Sequence, residues 1–317
     1  MKHIGPILNI VLTRKITLGF LITLIIPSLA GSFFVLYRVT QKREIFKQLH
    51  NQLIFCIFMV YFIQTILDLP LTITFLHRGV VAIPNYSFCA YWFILMSALN
   101  MCTMHLNAYL SVERYLLVFH HKFIFKYKIL THYMPMFFIL INSAVFTFCV
   151  VIFYPCQNEF NYDAILCGTS CAVLDPIFGV FLWVNSFVAP LLIIILSNGF
   201  LLLKVICQKR RMLQKNIWHR NKKMVLQLIS VTGMLYISWL PLTTATVINI
   251  AHPTQLLSEL HLNWYLIGLI YIPVLSSPIT TSIAILELRE DLRAWFNRRR
   301  PFFRGVQIHA IIPTGTQ

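Results

Sequence analysis

The chain has 317 residues, of which 58% are hydrophobic and 11% are charged, and its mean hydropathy is +0.74. This composition excludes a soluble fold, which would have too little polar surface to cover itself, and it points to lipid as the main solvent. The formal net charge is +16, but the cations lie within a few residues of apolar segments rather than on an independent domain. We therefore expect the anionic lipid of the inner leaflet as their partner, and no nucleic acid.

Seven segments are apolar over the roughly 20 residues that a helix needs to cross a hydrocarbon core. Their predicted bounds are 16–38, 52–76, 89–119, 133–154, 177–206, 224–251 and 263–286. The predicted fold is an all-α membrane protein, a seven-transmembrane helix bundle with a short amphipathic C-terminal interfacial helix. The predicted parts are a short extracellular N-terminus (1–15), the transmembrane domain (16–286), the interfacial helix (287–300) and a short cytoplasmic tail (301–317).

The distribution of cations predicts the orientation, because Lys and Arg in short loops are retained on the cytoplasmic side. Nearly all of the 26 Lys and Arg residues lie in the odd-numbered connections and the tail, and the exceptions are Lys2, Arg14, Lys15 and Arg78. We expect a multi-pass plasma-membrane protein with its N-terminus outside and its C-terminus in the cytoplasm.

A proline interrupts most of the later segments and the second one. These residues are Pro70, Pro190, Pro241, Pro273 and Pro278. Each removes a backbone hydrogen bond and is expected to kink its helix. Trp239 stands close to Pro241, where its indole either senses what fills a cavity or simply fills a gap.

The third segment carries a polar stripe. Its members recur at steps of three, four and seven, which places them on one helical face; they are Asn100, Thr103, Asn107 and Arg114. This face should look inward. It serves either for hydrogen bonds between helices, at about 0.6 kcal/mol each, or as a hydrated track.

The stripe ends at Glu113-Arg114-Tyr115, the first formal charges after Phe88. A charged residue at the bilayer centre costs about 2.5–3.5 kcal/mol on insertion scales, whereas at a helix end it can face a cavity and be paired. The placement of Glu113 and Arg114 therefore predicts a functional switch at the cytoplasmic surface.

Several features are expected on the outer side. Cys89, Cys156, Cys167 and Cys171 are expected to form disulfides, for which three connectivities exist. Asn85 begins the glycosylation sequon Asn85-Tyr86-Ser87. Asp68, near the outer end of the second segment, is expected either to bind a cationic ligand group or to pair with a nearby His or Tyr.

The predicted interfacial helix has its apolar residues on one face, and these are Leu288, Leu292, Trp295 and Phe296. Such a helix should lie in the membrane interface with its cations toward the lipid headgroups.

Together these patterns resemble the rhodopsin-like family of G-protein-coupled receptors over residues 16–300. The resemblance rests on the spacing of Cys89 from Arg114, on Trp239-Leu240-Pro241, and on Pro190 and Pro278 in the fifth and seventh segments. The pattern is most similar to invertebrate orphan and peptide-type receptors, which share Glu-Arg-Tyr, Val118-Phe119-His120 and His132-Tyr133-Met134-Pro135.

The resemblance implies roles for individual residues. Arg114 would be offered to the C-terminal helix of a G protein, with Glu113 as its inactive-state partner. Trp239 would be the toggle aromatic, with hinges at Pro241 and Pro278. Cys89 would be tied to the second outer loop, through Cys171 (favoured) or Cys167, and Cys156 would then close that loop on itself. The candidate residues of the ligand pocket are Asp68, Met96, Asn100, Ser186, Trp239 and Tyr271.

The expected function is thus a receptor that binds an extracellular ligand, with a small peptide favoured, and activates heterotrimeric G proteins without cofactor or metal. Tyr61 and Ser277 depart from the Asp and Asn that the family usually has, so the alternatives are a signalling-inactive decoy or scaffold and, less favoured, a membrane transporter. An enzyme is not expected, since Gly-x-Ser-x-Gly, His-Glu-x-x-His and Cys-x-x-Cys do not occur.

Overall fold

A computed structural model describes residues 4–42, 48–212, 232–249 and 264–285, together with Leu288. Across these residues the chain is almost entirely helical and contains no β-strand. This confirms the all-α prediction. Apart from Leu288, the predicted interfacial helix and tail lie outside the described residues, and so does most of the cationic fifth connection.

The helices follow one another with short connections. They are α1 (Ile4–Gln41), α2 (Leu49–Leu67), α3 (Leu69–Arg78), α4 (Tyr86–Phe119), α5 (His121–Lys126), α6 (Met134–Phe153), α7 (Cys171–Leu174), α8 (Phe178–Trp183), α9 (Ala189–Met212), α10 (described part 232–249) and α11 (Trp264–Ala284). One π-helical turn, Ile129–Tyr133, leads into α6, and another, Val184–Val188, joins α8 to α9.

Five described helical stretches are long and apolar enough to cross a membrane. They are Leu12–Gln41, Leu49–Arg78, Tyr86–Phe119, Ile129–Phe153 and Phe178–Lys204. These match the first five predicted spans and indicate a membrane-embedded protein. The described apolar stretch of α11, Gly268–Ala284, is shorter, and the number of seven spans stays a prediction.

The first helix begins well before the predicted residue 16. It starts at Ile4, because Pro6 falls in the first turn, where a missing N–H costs no hydrogen bond, and the residues from Ile7 to Leu12 are apolar. Most of the segment expected as an N-terminal extension is therefore helical.

Two of the predicted proline irregularities have a clear local form. The second span is interrupted at Asp68, and Pro70 lies in the first turn of α3. Pro190 follows the π-helical turn Val184–Val188 at the start of α9. In both places the backbone changes its hydrogen-bonding pattern at the residues that a proline would otherwise leave unpaired.

Helix α4 lies at the centre of the bundle and packs against α2, α6 and α9, while α11 packs against α1 and α2. Gly31 permits the close approach of α1 to α11, because a Cβ at this position would lie 3.1 Å from the Cβ of Pro278. A larger side chain here would push the two helices apart.

The two ends of the bundle have different contents. The disulfide end contains the start of α4 with Cys89 and the loop between α6 and α8. The arginine end contains the last turns of α4 with Glu113 and Arg114, and the starts of α2 and α6.

Candidate functional site

The polar stripe of α4 is buried, as predicted, and its members bond mostly to their own helix. Asn100 Oδ1 accepts a hydrogen bond from Gln64 Nε2 at 3.0 Å. Thr103 Oγ1 donates to the Asn100 carbonyl at 2.9 Å, and Asn107 Nδ2 donates to the Thr103 carbonyl at 2.7 Å. The stripe thus serves hydrogen bonding, and it also connects two cavities, since Asn100 lines one at the disulfide end and Asn107 one at the arginine end.

The disulfide-end cavity has a volume of about 170 Å³. Its walls come from α4, α6, α8, α10, α11 and the loop above them. Four of the predicted pocket residues line it: Met96, Asn100, Ser186 and Trp239. Asp68 and Tyr271, the other two, are not among its lining residues.

One wall of this cavity is aromatic. The ring of Phe187 stacks on Trp239, with centroids 4.6 Å apart and planes 18° apart. Trp183 lies against the other side of the pair, 4.7 Å from Phe187. Trp239 is 3% exposed, so any occupant of the cavity meets a large, packed aromatic surface close to Pro241.

Asp68 is fully buried and bonded to neutral donors. Trp92 Nε1 donates to its Oδ1, and the Tyr271 hydroxyl donates to its Oδ2, both at 2.9 Å. The Tyr271 oxygen also lies 2.6 Å from the Thr72 hydroxyl. Of the two expectations for Asp68, the structure has the pairing with a Tyr, and the bonds tie the α2–α3 break to α4 and α11.

The disulfide pairing differs from the favoured expectation. The structure pairs Cys89 with Cys167 and Cys156 with Cys171, with Cα separations of 5.6 and 6.1 Å. A turn at Leu166, where φ is 56°, carries Cys167 into a buried cluster beside Cys89. Cys171 instead begins α7, next to Cys156. The Cys89–Cys171 pairing was therefore wrong, and the alternative partner Cys167 is the one found.

The loop above the cavity is held by side-chain bonds to its own backbone. Asn158 Oδ1 accepts from the Ser170 hydroxyl at 2.8 Å and from the Cys171 N–H at 3.0 Å. The N–H groups of Phe178 and then Ile177 bond to the Asp175 carboxylate, which lowers its pKa. The loop is thus ordered where it covers the cavity.

Asn85 is exposed at the N-cap of α4, and its Oδ1 accepts from the Ser87 N–H at 3.3 Å. This bond uses the oxygen of the side-chain amide. The amide nitrogen that would carry a glycan is left available, and glycosylation stays a prediction.

At the arginine end, Glu113 bonds to a histidine. His132 Nδ1 lies 2.5 Å from Glu113 Oε1, and both side chains are fully buried. His132 Nε2 lies 3.2 Å from Gln52 Oε1. These bonds connect α4 to α2 and to the π-helical turn before α6.

The expected pair between Glu113 and Arg114 is not formed, and Arg114 has no ion-pair or hydrogen-bond partner among the described residues. Neighbouring residues on a helix point in different directions, so Glu113 faces the start of α6 while Arg114 faces α10 and α11. Arg114 is 7% exposed and its Nε is buried without a bond.

Arg114 lines a second cavity of about 50 Å³, together with Tyr61, Asn107 and Ser277. Tyr115 faces elsewhere, and its hydroxyl accepts a bond from Lys204 Nζ at 3.0 Å. The arrangement leaves one buried cation facing a small polar-walled space.

Sequence reasoning missed three partners, namely Trp92 for Asp68 and both His132 and Gln52 for Glu113. The available signal was an absence: the spans offer few Lys or Arg residues at mid-depth to neutralise a buried acid. Which neutral donors replace a cation depends on the rotation of neighbouring helices, and periodicity along one helix does not contain that information.

No model of a known protein family matches the chain, and no curated protein matches it in sequence.

Proposed function

We propose that this protein is a G-protein-coupled receptor with seven spans, which binds an extracellular ligand at the disulfide end and activates heterotrimeric G proteins at the arginine end. In this proposal the protein lies in the plasma membrane with its N-terminus outside. The observation that carries it is that α4 alone supplies Met96 and Asn100 to one cavity and Arg114 to the other.

The state of Arg114 supports the arginine end as the effector site. An unpaired buried cation is unfavourable, so a partner that brings acceptors to it gains free energy. The C-terminal end of a helix presents unpaired carbonyl groups and a partial negative charge. The C-terminal helix of a G protein would therefore be a suitable partner for Arg114.

Coupling between the ends would be a population shift, in which a ligand favours the bundle conformation that it binds more tightly. Trp239 lies in the cavity wall and Pro241 follows it on α10. A ligand that displaces the Phe187–Trp239 stack would move α10, which also contributes Met234 and Leu235 to the cavity of Arg114.

A signalling-inactive decoy or scaffold is the second candidate. Tyr61 and Ser277 line the arginine-end cavity, at positions where the receptors that the chain resembles usually carry Asp and Asn. These two residues favour a bundle that binds ligand without the usual rearrangement.

The deciding experiment measures G-protein dissociation in cells with matched surface expression of wild type, Arg114→Ala and Lys122→Ala. The cells are challenged with a library of peptides and small metabolites. We expect a ligand-dependent signal in wild type and in Lys122→Ala, whose exposed cation lies at the same end, and its loss in Arg114→Ala with ligand binding retained. An equal signal from all three would refute the role of Arg114, and silence from well-expressed wild type would favour the decoy.

A further inference from the structure

The disulfide-end cavity has no charged wall. Its described lining residues include no Asp, Glu, Lys, Arg or His. The polar members are hydroxyl and amide side chains: Ser97, Asn100, Thr147, Thr169 and Ser186. An ion that enters this space would therefore lose its hydration without gaining a counterion, which costs several kcal/mol in a protein interior.

Asp68 cannot supply that counterion from its present position. Both of its oxygens already accept hydrogen bonds, from Trp92 and Tyr271, and it is fully buried beside the cavity rather than in its wall. Binding a cation would require breaking both bonds and moving the side chain. The small cationic peptide favoured from the sequence therefore has no anion to meet in this cavity.

Few of the polar groups remain available to a ligand. Thr147 Oγ1 donates to the Ser143 carbonyl at 2.8 Å, and Asn100 Oδ1 accepts from Gln64. The hydroxyls of Ser97 and Ser186 make no hydrogen bond with another described residue. The cavity can thus satisfy one or two hydrogen-bonding groups, and the rest of its surface needs apolar contact.

The size of the cavity limits its occupant. Its volume is about 170 Å³, whereas pockets for drug-sized ligands are about 300–1,000 Å³. Apolar protein cavities of about 150 Å³ stay dry and take up benzene. A substituted benzene fits such a space, and an extended peptide does not.

The aromatic wall gives a flat ligand its orientation. Trp183, Phe187 and Trp239 lie in a row with successive ring centroids 4.7 and 4.6 Å apart. Stacked or edge-to-face aromatic pairs contribute about 0.5–1.5 kcal/mol beyond their area burial. A ring beside Trp239 would gain this contribution.

We infer that the disulfide-end cavity binds an uncharged, largely apolar small molecule of about the size of a substituted benzene, stacked on the Trp183–Phe187–Trp239 wall, with Ser97 or Ser186 available to one polar group. That this molecule is the agonist rests on the proposed receptor function. The binding itself does not.

The test uses the full chain in lipid nanodiscs and two probes of similar shape, 4-fluorotoluene and 4-fluorobenzylammonium, followed by fluorine NMR with empty nanodiscs as the reference for partition into lipid. Val150→Phe fills the cavity from α6. Val145→Phe is the matched control, because the same substitution on the same helix falls on a side chain that is 55% exposed and does not line the cavity.

We expect saturable binding of 4-fluorotoluene that is at least tenfold weaker in Val150→Phe and unchanged in Val145→Phe. Binding of 4-fluorobenzylammonium should be at least tenfold weaker than that of 4-fluorotoluene. If Val150→Phe does not fold, Ser97→Leu narrows the same space with a smaller side chain and should show the same loss.

The inference is overturned by stronger binding of the ammonium probe, by neutral binding that neither cavity variant weakens, or by the absence of saturable binding. Failure of the proposed function gives a different result: the neutral probe binds and is lost in Val150→Phe, yet no library ligand triggers G-protein dissociation. Activation by a cationic peptide that is lost in Val150→Phe would instead keep the receptor and reject the ligand class.

Discussion

The two ends of the bundle bury different chemistry. At the disulfide end the acid Asp68 is neutralised by neutral donors, Trp92 and Tyr271, and the neighbouring cavity is apolar. At the arginine end the acid Glu113 bonds to His132, and the cation Arg114 faces a smaller cavity without a partner. A buried charge whose bonds are complete holds helices together, whereas one with bonds still to make can recruit a partner from outside.

The same rule separates structural from functional side chains within α4. Trp92 is 1% exposed and its indole N–H is used. Arg114 is almost as deeply buried, but its Nε has no bond. Burial alone does not distinguish the two ends, and the completeness of hydrogen bonding does.

The largest expected effect breaks the disulfide end. The Cys89–Cys167 bridge closes a separation of 78 residues and the Cys156–Cys171 bridge one of 15. In the chain-entropy view a longer loop is constrained more, and loss of a native disulfide costs about 2–5 kcal/mol. We expect replacement of Cys89 and Cys167 by Ser to lower the thermal unfolding midpoint and surface expression more than replacement of Cys156 and Cys171.

Thermal unfolding of the purified protein, compared between the two double variants, checks this order. Equal losses, or a larger loss for the pair Cys156 and Cys171, would show that chain entropy does not set the contribution of these bridges.

A smaller effect is expected at Asp68. In Asp68→Ala the Tyr271 hydroxyl can still bond to Thr72, but the buried Trp92 N–H loses its acceptor, which costs about 1–3 kcal/mol. Thermal unfolding measures the loss, with Asp163→Ala as the control because Asp163 is exposed in the loop at the same end. Stability of Asp68→Ala equal to that of the control would mean that the acid does not hold the helices together.

The smallest effect is expected at His132. In His132→Ala, Glu113 loses its bond but Arg114 is its neighbour and can turn toward it, so we expect a net loss of about 1 kcal/mol. Under the proposed function, ligand-independent G-protein dissociation should also fall, because Arg114 is then occupied. The matched control is His120→Ala, since His120 is exposed at the same end.

Thermal unfolding and basal G-protein dissociation are measured on both histidine variants. A rise in basal signal in His132→Ala would indicate that the His132 bond restrains Arg114, which contradicts the comparison drawn between the two ends.

Much of the fold could be predicted because lipid imposes simple rules on a sequence. The first five spans follow from apolar length, and the inward face of α4 follows from the recurrence of Asn100, Thr103 and Asn107. The early start of α1 was missed because Pro6 was taken as part of a non-helical terminus, although a proline in a first turn is compatible with a helix.

The candidate sites were predicted less completely. Met96, Asn100, Ser186 and Trp239 do line one cavity, since their helical faces follow from periodicity. Asp68 and Tyr271 were grouped with them on depth alone, and depth does not say whether a side chain faces a cavity or a neighbouring helix.

The sequence by itself determined the membrane environment, the positions of the main apolar helices and the residues that must turn away from lipid, because hydropathy and helical period are local properties. The tertiary structure alone decided that Cys89 meets Cys167, that His132 rather than Arg114 bonds to Glu113, and that Trp92 bonds to Asp68. Each of these is a choice among partners that are close in sequence or depth. The choice depends on a turn such as that at Leu166 and on the mutual rotation of packed helices, which no single segment encodes.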